Sequence, residues 1–234
     1  MRTFRSRAGP FAEQPYYEKD EIERICSSEL EAVGLLPGAP EPVRIDRFVE
    51  KRFGVTPGFE DLSVGVLGWT RFGPKGVEAI VVARALGEEQ TRVAERRIST
   101  TLAHEAGHGL LHAHLFVLGA ETRSLFGEDR DVDPQRILCR GESAPGGGRR
   151  YSGRWWEFQA NQAMGALLLP KRLVEKALER ALVRRGSLGQ LDLPADRRED
   201  AAHELAEAFE VNPVVARIRL GALYPAEALG QLTL

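Results

Sequence analysis

The sequence predicts an α+β fold that is mostly helical, with a small antiparallel sheet. Apolar residues recur at helical spacing over much of the 234-residue chain. Two runs rich in β-branched and aromatic residues, 62–72 and 77–84, flank Gly73-Pro74-Lys75-Gly76 and predict a hairpin. The composition, 43% hydrophobic and 28% charged, is that of a globular protein whose core needs no disulfides.

The chain before the hairpin is expected to hold a tail and two helices. Residues 1–15 mix Arg, Gly, Pro and Ser without periodicity, which predicts a loose tail. Apolar spacing predicts a helix over 16–33, stopped by Gly34, and a second over 43–53, ending at Gly54.

The chain after the hairpin is expected to be mainly helical. A long helix over 92–117 carries an apolar stripe that can lie on the sheet. One short strand and four further helices are predicted at 137–139, 155–169, 173–185, 196–209 and 213–223.

Charge and cysteine content narrow the class of protein. The net charge of −2 disfavours a strongly basic protein drawn to nucleic acid or anionic lipid. The sequence contains neither a membrane-spanning apolar run nor a signal peptide, so no membrane partner is expected. Cys26 and Cys139 form no CxxC pair, which predicts reduced thiols and a cytoplasmic protein.

The segment that carries chemistry is His104-Glu105-Ala106-Gly107-His108 within the predicted long helix. Histidines at i and i+4 share one helical face, so both imidazoles can reach one metal ion. Glu105 is offset beside them, where it could serve as a base toward a metal-bound water. The HExxH spacing therefore predicts two metal ligands, His104 and His108, and a catalytic base, Glu105.

A third protein ligand is expected, because two histidines do not hold a catalytic zinc alone. His114 has the spacing of an HExxHxxGxxH ligand, but Leu111 stands where that motif needs a glycine, so His114 is rejected. His112 is eight residues from His104, about 12 Å along the axis, which suits a residue that supports a ligand.

Acidic residues later in the chain are the remaining candidates for this ligand. Glu157 lies on the predicted helix 155–169, and Asn161, one turn on, could orient a ligand by hydrogen bonding. By spacing alone, other downstream acids are equally possible: Glu121, Glu128 and Glu142.

The run from Thr100 to His112 resembles the active-site helix of the ImmA/IrrE family of metallopeptidases. Glu157-Phe158-Gln159-Ala160-Asn161, followed by Leu167-Leu168-Leu169-Pro170, is similar to that family's second motif. The resemblance covers roughly residues 17–223 and implies a zincin-like core at 17–170. A flexible tail at 1–16 would precede this core, and a helical extension at 171–234 would follow it.

The resemblance implies a Zn²⁺ cofactor held by His104, His108 and Glu157, with Glu105 as the catalytic base. It also implies a narrow regulatory substrate, because family members typically cleave a repressor of the helix-turn-helix type. Few residues precede the predicted core, so this repressor is expected to be a separate protein.

Several residues between the two motifs have a less defined role. Tyr151, Arg154 and His112 are candidates for stabilising the transition state, each more easily explained as structural. Cys139 lies between the two segments that carry the ligands. This raises the hypothesis that, in an inactive state, its thiolate occupies the fourth zinc position, which a catalytic site leaves open for water.

The last two predicted helices have the residue pattern of a helix-turn-helix. Asn212 is a candidate N-cap and Pro213 suits the first helical position, while Glu210 occupies the turn position where glycine is usual. The second helix offers no base-reading side chain before Arg217, so DNA binding is possible but disfavoured. The alternative function is a non-proteolytic zinc-containing regulator of transcription or stress that binds DNA or a partner.

Overall fold

The computed structural model describes residues 2–5, 13–118, 136–140, 155–185 and 189–225. The fold is α+β and mostly helical, as predicted. The helices are α1 (Lys19–Ala32), α2 (Ile45–Phe53), α3 (Arg84–Glu88), α4 (Arg92–Leu118), α5 (Trp155–Leu168), α6 (Lys171–Ala177), α7 (Arg198–Ala208) and α8 (Pro213–Leu223). The strands are β1 (Arg2–Arg5), β2 (Glu13–Tyr16), β3 (Gly58–Glu60), β4 (Val66–Gly73), β5 (Gly76–Ala83), β6 (Arg136–Arg140), β7 (Val183–Arg185) and β8 (Gln190–Asp192).

The central sheet has the strand order β3-β5-β4-β6. The predicted hairpin is confirmed, because β4 and β5 are antiparallel and Gly73 pairs with Gly76 across the turn. The predicted strand at 137–139 is also confirmed, since β6 runs antiparallel to β4. The prediction of a purely antiparallel sheet is wrong, because β3 pairs with β5 in parallel. A three-residue strand such as β3 is too short to be recognised by alternation.

Two further predictions of secondary structure differ from the structure. The N-terminal segment is not loose throughout, because β1 and β2 pair as antiparallel strands. The predicted helix over 173–185 is wrong beyond Ala177, since Val183–Arg185 pairs with Gln190–Asp192 instead. Arg185 Nε lies 2.9 Å from an Asp192 carboxylate oxygen across this pair, a cross-strand contact that local periodicity could not reveal.

Helix α4 lies between the sheet and α5, and α1 packs on α5. The predicted boundaries of α4 are close to those observed. One main cluster of buried apolar residues extends from Ile22 on α1 to Leu220 on α8. It therefore includes residues from both sides of the predicted domain boundary at 170. Cys26 is fully buried within this cluster.

The last helix is fixed to the first by a buried arginine. Arg219 on α8 is 3% exposed and donates both terminal guanidinium nitrogens to the Glu23 carboxylate on α1. Its Nε also donates to the Leu169 carbonyl at 3.0 Å. These contacts satisfy a charge that would otherwise be costly to bury.

Helices α7 and α8 are joined by a tight turn. Glu210 has a φ of 51°, the left-handed conformation that usually favours glycine. The Val211 amide then donates to the Ala206 carbonyl at 3.1 Å, which closes the C-terminus of α7. Asn212 occupies the N-cap of α8 and Pro213 its first position, but the Asn212 side chain makes no capping hydrogen bond.

Within the described ranges, no helix is both long and apolar enough to cross a membrane.

Candidate metal centre

Helix α4 brings the two motif histidines together. His104 and His108 are one turn apart, and their Nε2 atoms are 3.1 Å from each other. Both side chains are buried, and α5 packs against the helix that carries them. The i, i+4 spacing therefore places two imidazole nitrogens at one point, as helix geometry requires.

Helix α5 contributes a carboxylate to the same point. Glu157 Oε2 lies 3.3 Å from His104 Nε2, and Glu157 Oε1 lies 3.7 Å from His108 Nε2. These potential ligand atoms of His104, His108 and Glu157 all lie within 4.8 Å of one another. The three residues thus form a possible metal-binding triad.

The approach of the two helices depends on Gly107. A Cβ atom at this position would lie 3.0 Å from both the Ala160 carbonyl oxygen and the Ala163 Cβ. The missing side chain therefore allows α5 to come close enough for Glu157 to reach the histidines.

The spacing of the triad suits a tetrahedral metal ion. Ligand atoms about 2.0–2.1 Å from a zinc ion and at tetrahedral angles lie roughly 3.3 Å apart. The observed separations of 3.1, 3.3 and 3.7 Å bracket this value. In addition, Glu157 Oε1 is buried with no hydrogen-bond partner among the described residues. Two imidazoles and a carboxylate are ligands that fit a divalent transition metal.

Hydrogen bonds hold the outer nitrogens of both histidines. His104 Nδ1 lies 3.1 Å from Asn161 Oδ1, and His108 Nδ1 lies 3.0 Å from His112 Nδ1. The other ring nitrogen of His112 lies 3.0 Å from Gln159 Oε1. His112 is thus placed behind His108 and is absent from the ligand triad, and His114 is also absent from it.

Burial keeps the imidazoles of His108 and His112 neutral at ordinary pH. Desolvation lowers the pKa of His108 well below its usual range and that of His112 to about 3. A neutral imidazole retains the lone pair that a metal ligand needs. Half-buried His114 also has a lowered pKa, for the same reason.

Glu105 faces the sheet side of α4 and is completely buried. Thr70 on β4 donates its hydroxyl to Glu105 Oε2 at 2.6 Å, while Glu105 Oε1 has no hydrogen-bond partner within the described residues. Burial raises the pKa of Glu105 to about 8, and the Glu157 charge acts in the same direction. Neighbouring His104 and the Thr70 hydrogen bond oppose this rise.

Strand β4 reaches Glu105 because it carries Gly68. A Cβ atom at position 68 would lie 2.7 Å from Thr101 Cγ2, 2.8 Å from the Val81 carbonyl oxygen and 3.4 Å from Glu105 Oε1. A side chain there would push the strand away from the base of the HExxH motif.

Sequence reasoning missed Thr70, Gly68 and Gln159. Thr70 and Gly68 precede the motif by more than thirty positions, and nothing local marks them. Gln159 lies between the candidate residues Glu157 and Asn161, and this position is the sequence signal that could have found it. In the structure its side chain is 3% exposed.

Some predicted candidates fall outside the part of the chain that the structure describes. They are Glu121, Glu128, Glu142, Tyr151 and Arg154. Cys139 lies on β6 opposite Gly68, but its side chain is also outside the description, so the thiolate hypothesis stays a prediction.

No protein-family model matches the chain, and no curated protein matches it significantly.

Proposed function

We propose that the chain is a zinc-dependent endopeptidase with a zincin-like core, of the kind found in the ImmA/IrrE family. The observation that carries this proposal is that potential ligand atoms of His104, His108 and Glu157 lie close together. Glu105, in the same motif, is outside this triad and accepts a hydrogen bond from Thr70. A set of ligands next to a buried carboxyl group outside that set is the arrangement that metal-assisted hydrolysis needs.

Zinc is proposed because two histidines and one glutamate form a recurrent ligand set of catalytic zinc sites, which keep a fourth position open. When bound, the ion would supply Lewis-acid chemistry that activates a water molecule and polarises a peptide carbonyl. His104, His108 and Glu157 would hold it, with Asn161 and His112 orienting the two imidazoles.

Glu105 would act as the general base and then as the general acid. Thr70 fixes Oε2, so the proton would be taken up and released at Oε1. A base should titrate near the working pH, and a cation beside Glu105 would lower its pKa from about 8 toward that range. The same carboxyl group could then return the proton to the leaving amine.

The proposed substrate is a separate regulatory protein, a helix-turn-helix repressor in the cytoplasm. This part of the proposal rests on the sequence resemblance. Its test compares new protein N-termini in cells that express the wild type or Glu105→Gln, with zinc content measured on both purified proteins. One or a few cuts that occur only with the wild type, at equal zinc content, would support it. No difference over a range of stress conditions, with both proteins loaded, would contradict it.

The alternative proposal is a zinc-containing regulator that binds DNA or a partner without proteolysis. The pair α7 and α8, joined by a tight turn, is the observation in its favour. Against DNA binding, Arg217 is engaged with the Glu199 carboxylate, with Nε–Oε2 at 2.9 Å, and Val214 and Ile218 expose apolar surface on α8. Salt-dependent, sequence-selective DNA binding by the Glu105→Gln variant would favour this alternative.

A further inference from the structure

We propose that Gln159 is a positioning residue of the metal centre, which sets the tautomer of His108 through His112 and is itself oriented by the Pro15 carbonyl. The chain of contacts crosses three elements. Gln159 Nε2 lies 2.8 Å from the Pro15 oxygen, Gln159 Oε1 lies 3.0 Å from His112 Nε2, and His112 Nδ1 lies 3.0 Å from His108 Nδ1.

The orientation of Gln159 follows from Pro15. A backbone carbonyl can only accept a hydrogen bond, so the amide nitrogen of Gln159 must face it. The reverse orientation would bring two oxygen atoms to 2.8 Å with no proton between them. Because Pro15 and Gln159 are both buried, water cannot easily take over this contact. Gln159 Oε1 is therefore directed at His112.

The tautomer of His112 follows from Gln159. The carbonyl oxygen of the amide only accepts, so His112 must carry its proton on Nε2. A second proton on this ring would place a charge in a site that is 0% exposed, at a high desolvation cost. His112 Nδ1 is therefore an unprotonated acceptor that faces His108.

The tautomer of His108 follows from His112. Nδ1 of His108 must donate in the 3.0 Å contact, because its partner atom has no proton to give. The proton is thus held on the outer nitrogen of His108. Its Nε2 lone pair is left facing His104 Nε2 and Glu157, where the proposed metal would bind.

The tautomers follow from hydrogen bonds within the protein and do not depend on a metal. Only their expected effect on metal binding rests on the proposed metal site. The chain of contacts makes β2, through one backbone oxygen, part of the machinery that prepares a ligand on α4. A His108 ring with its proton on Nε2 would have to change tautomer before binding a metal.

The direct test is long-range ¹H–¹⁵N correlation NMR of the imidazole nitrogens in the metal-free wild-type protein. The expected result is a proton on Nε2 of His112 and on Nδ1 of His108. A proton on Nδ1 of His112 would overturn the proposal without any variant. Correct tautomers in a protein that fails to bind Zn²⁺ would instead refute the proposed metal site and leave this inference intact.

A set of variants tests the consequence. Gln159→Met, which removes the acceptor at similar size, should give mixed His112 tautomers and weaken Zn²⁺ binding about 10- to 100-fold. Gln159→Glu keeps an oxygen facing His112 but loses the amide nitrogen that donates to the Pro15 carbonyl, so it should also disturb the tautomers and weaken Zn²⁺ binding. The control Gln162→Met changes a neighbouring glutamine on α5 outside this chain of contacts and should leave both readouts unchanged. Wild-type tautomers and affinity in Gln159→Met would overturn the proposal.

Discussion

Arg219 and Glu23, 196 positions apart in the chain, form an ion pair in which both terminal guanidinium nitrogens of the arginine contact the carboxylate. The pair joins the first helix to the last, and the arginine is 3% exposed. The C-terminal helix α8 is therefore fastened to the same body of structure as the metal-binding triad.

Loss of this arginine should be costly, because it would leave the Glu23 carboxylate without its cation. We expect Arg219→Met to lower the free energy of unfolding by about 3 kcal/mol, measured by urea denaturation. The double variant Glu23→Gln/Arg219→Met should lose less than the sum of the single changes, because it leaves no unpaired charge. Additive losses would contradict the coupling.

The buried carboxyl group of Glu105 should make stability depend on pH in the metal-free protein. Its pKa is about 8 in the folded chain against an ordinary 4.5, so the folded state holds a proton that the unfolded state releases. The contribution of this group to the free energy of unfolding is therefore fully present below pH 4.5. It decreases as the pH rises above 4.5 and is lost as the pH passes 8. Glu105→Gln should remove that dependence.

The measurement is urea denaturation of chelator-treated wild type and Glu105→Gln at pH 5, 6, 7 and 8. The stability of the variant relative to the wild type should rise by up to roughly 1.4 kcal/mol per pH unit over this range. A constant difference would show that Glu105 is not a desolvated acid.

Gly107 and Gly109 offer a matched pair on α4. A Cβ atom at 107 would meet the Ala160 carbonyl on α5, whereas one at 109 would meet the Phe53 ring and the Val77 side chain. Gly107→Ala should push α5 and Glu157 away from the histidines and weaken Zn²⁺ binding by at least about tenfold. Gly109→Ala should leave the affinity nearly unchanged, since the side chains it meets belong to α2 and β5 and not to α5, which carries Glu157. Equal effects, measured by competition with a chelating dye, would contradict this account.

Replacing Glu210 with glycine should stabilise the fold. Its φ of 51° disfavours any residue with a Cβ, so Glu210→Gly should raise the free energy of unfolding by about 1 kcal/mol. The same change at Glu204, an exposed position inside α7, should lower it by about 1 kcal/mol. Thermal or urea denaturation of the two variants should therefore give opposite signs.

The parts of the site that sequence could predict are those fixed by local periodicity. His104 and His108 lie on one helical face because 3.6 residues make a turn, and the long apolar pattern already indicated the helix. The β4–β5 hairpin was predictable because its turn chemistry is contained within four residues. Glu157 could be selected only by resemblance, since nothing local relates α5 to α4.

The parts that sequence could not predict depend on contacts between distant segments. Thr70 reaches Glu105 only because Gly68 lets β4 lie close to α4. Pro15 reaches Gln159 across 144 positions, from a segment that was expected to be a loose tail. Pairings of this kind are set by the packing of the whole chain, which a window of neighbouring residues does not record.

Cys26 has a practical consequence beyond its place in the core. Its sulfur is fully buried 3.8 Å from the Ala163 carbonyl, on the helix that carries Glu157, and burial raises the pKa of the thiol. An alkylating reagent can therefore reach this thiolate only when α1 and α5 transiently separate. In a Cys139→Ser variant, Cys26 is the only cysteine left, so its rate of alkylation reports how often α1 separates from α5, the helix that carries Glu157.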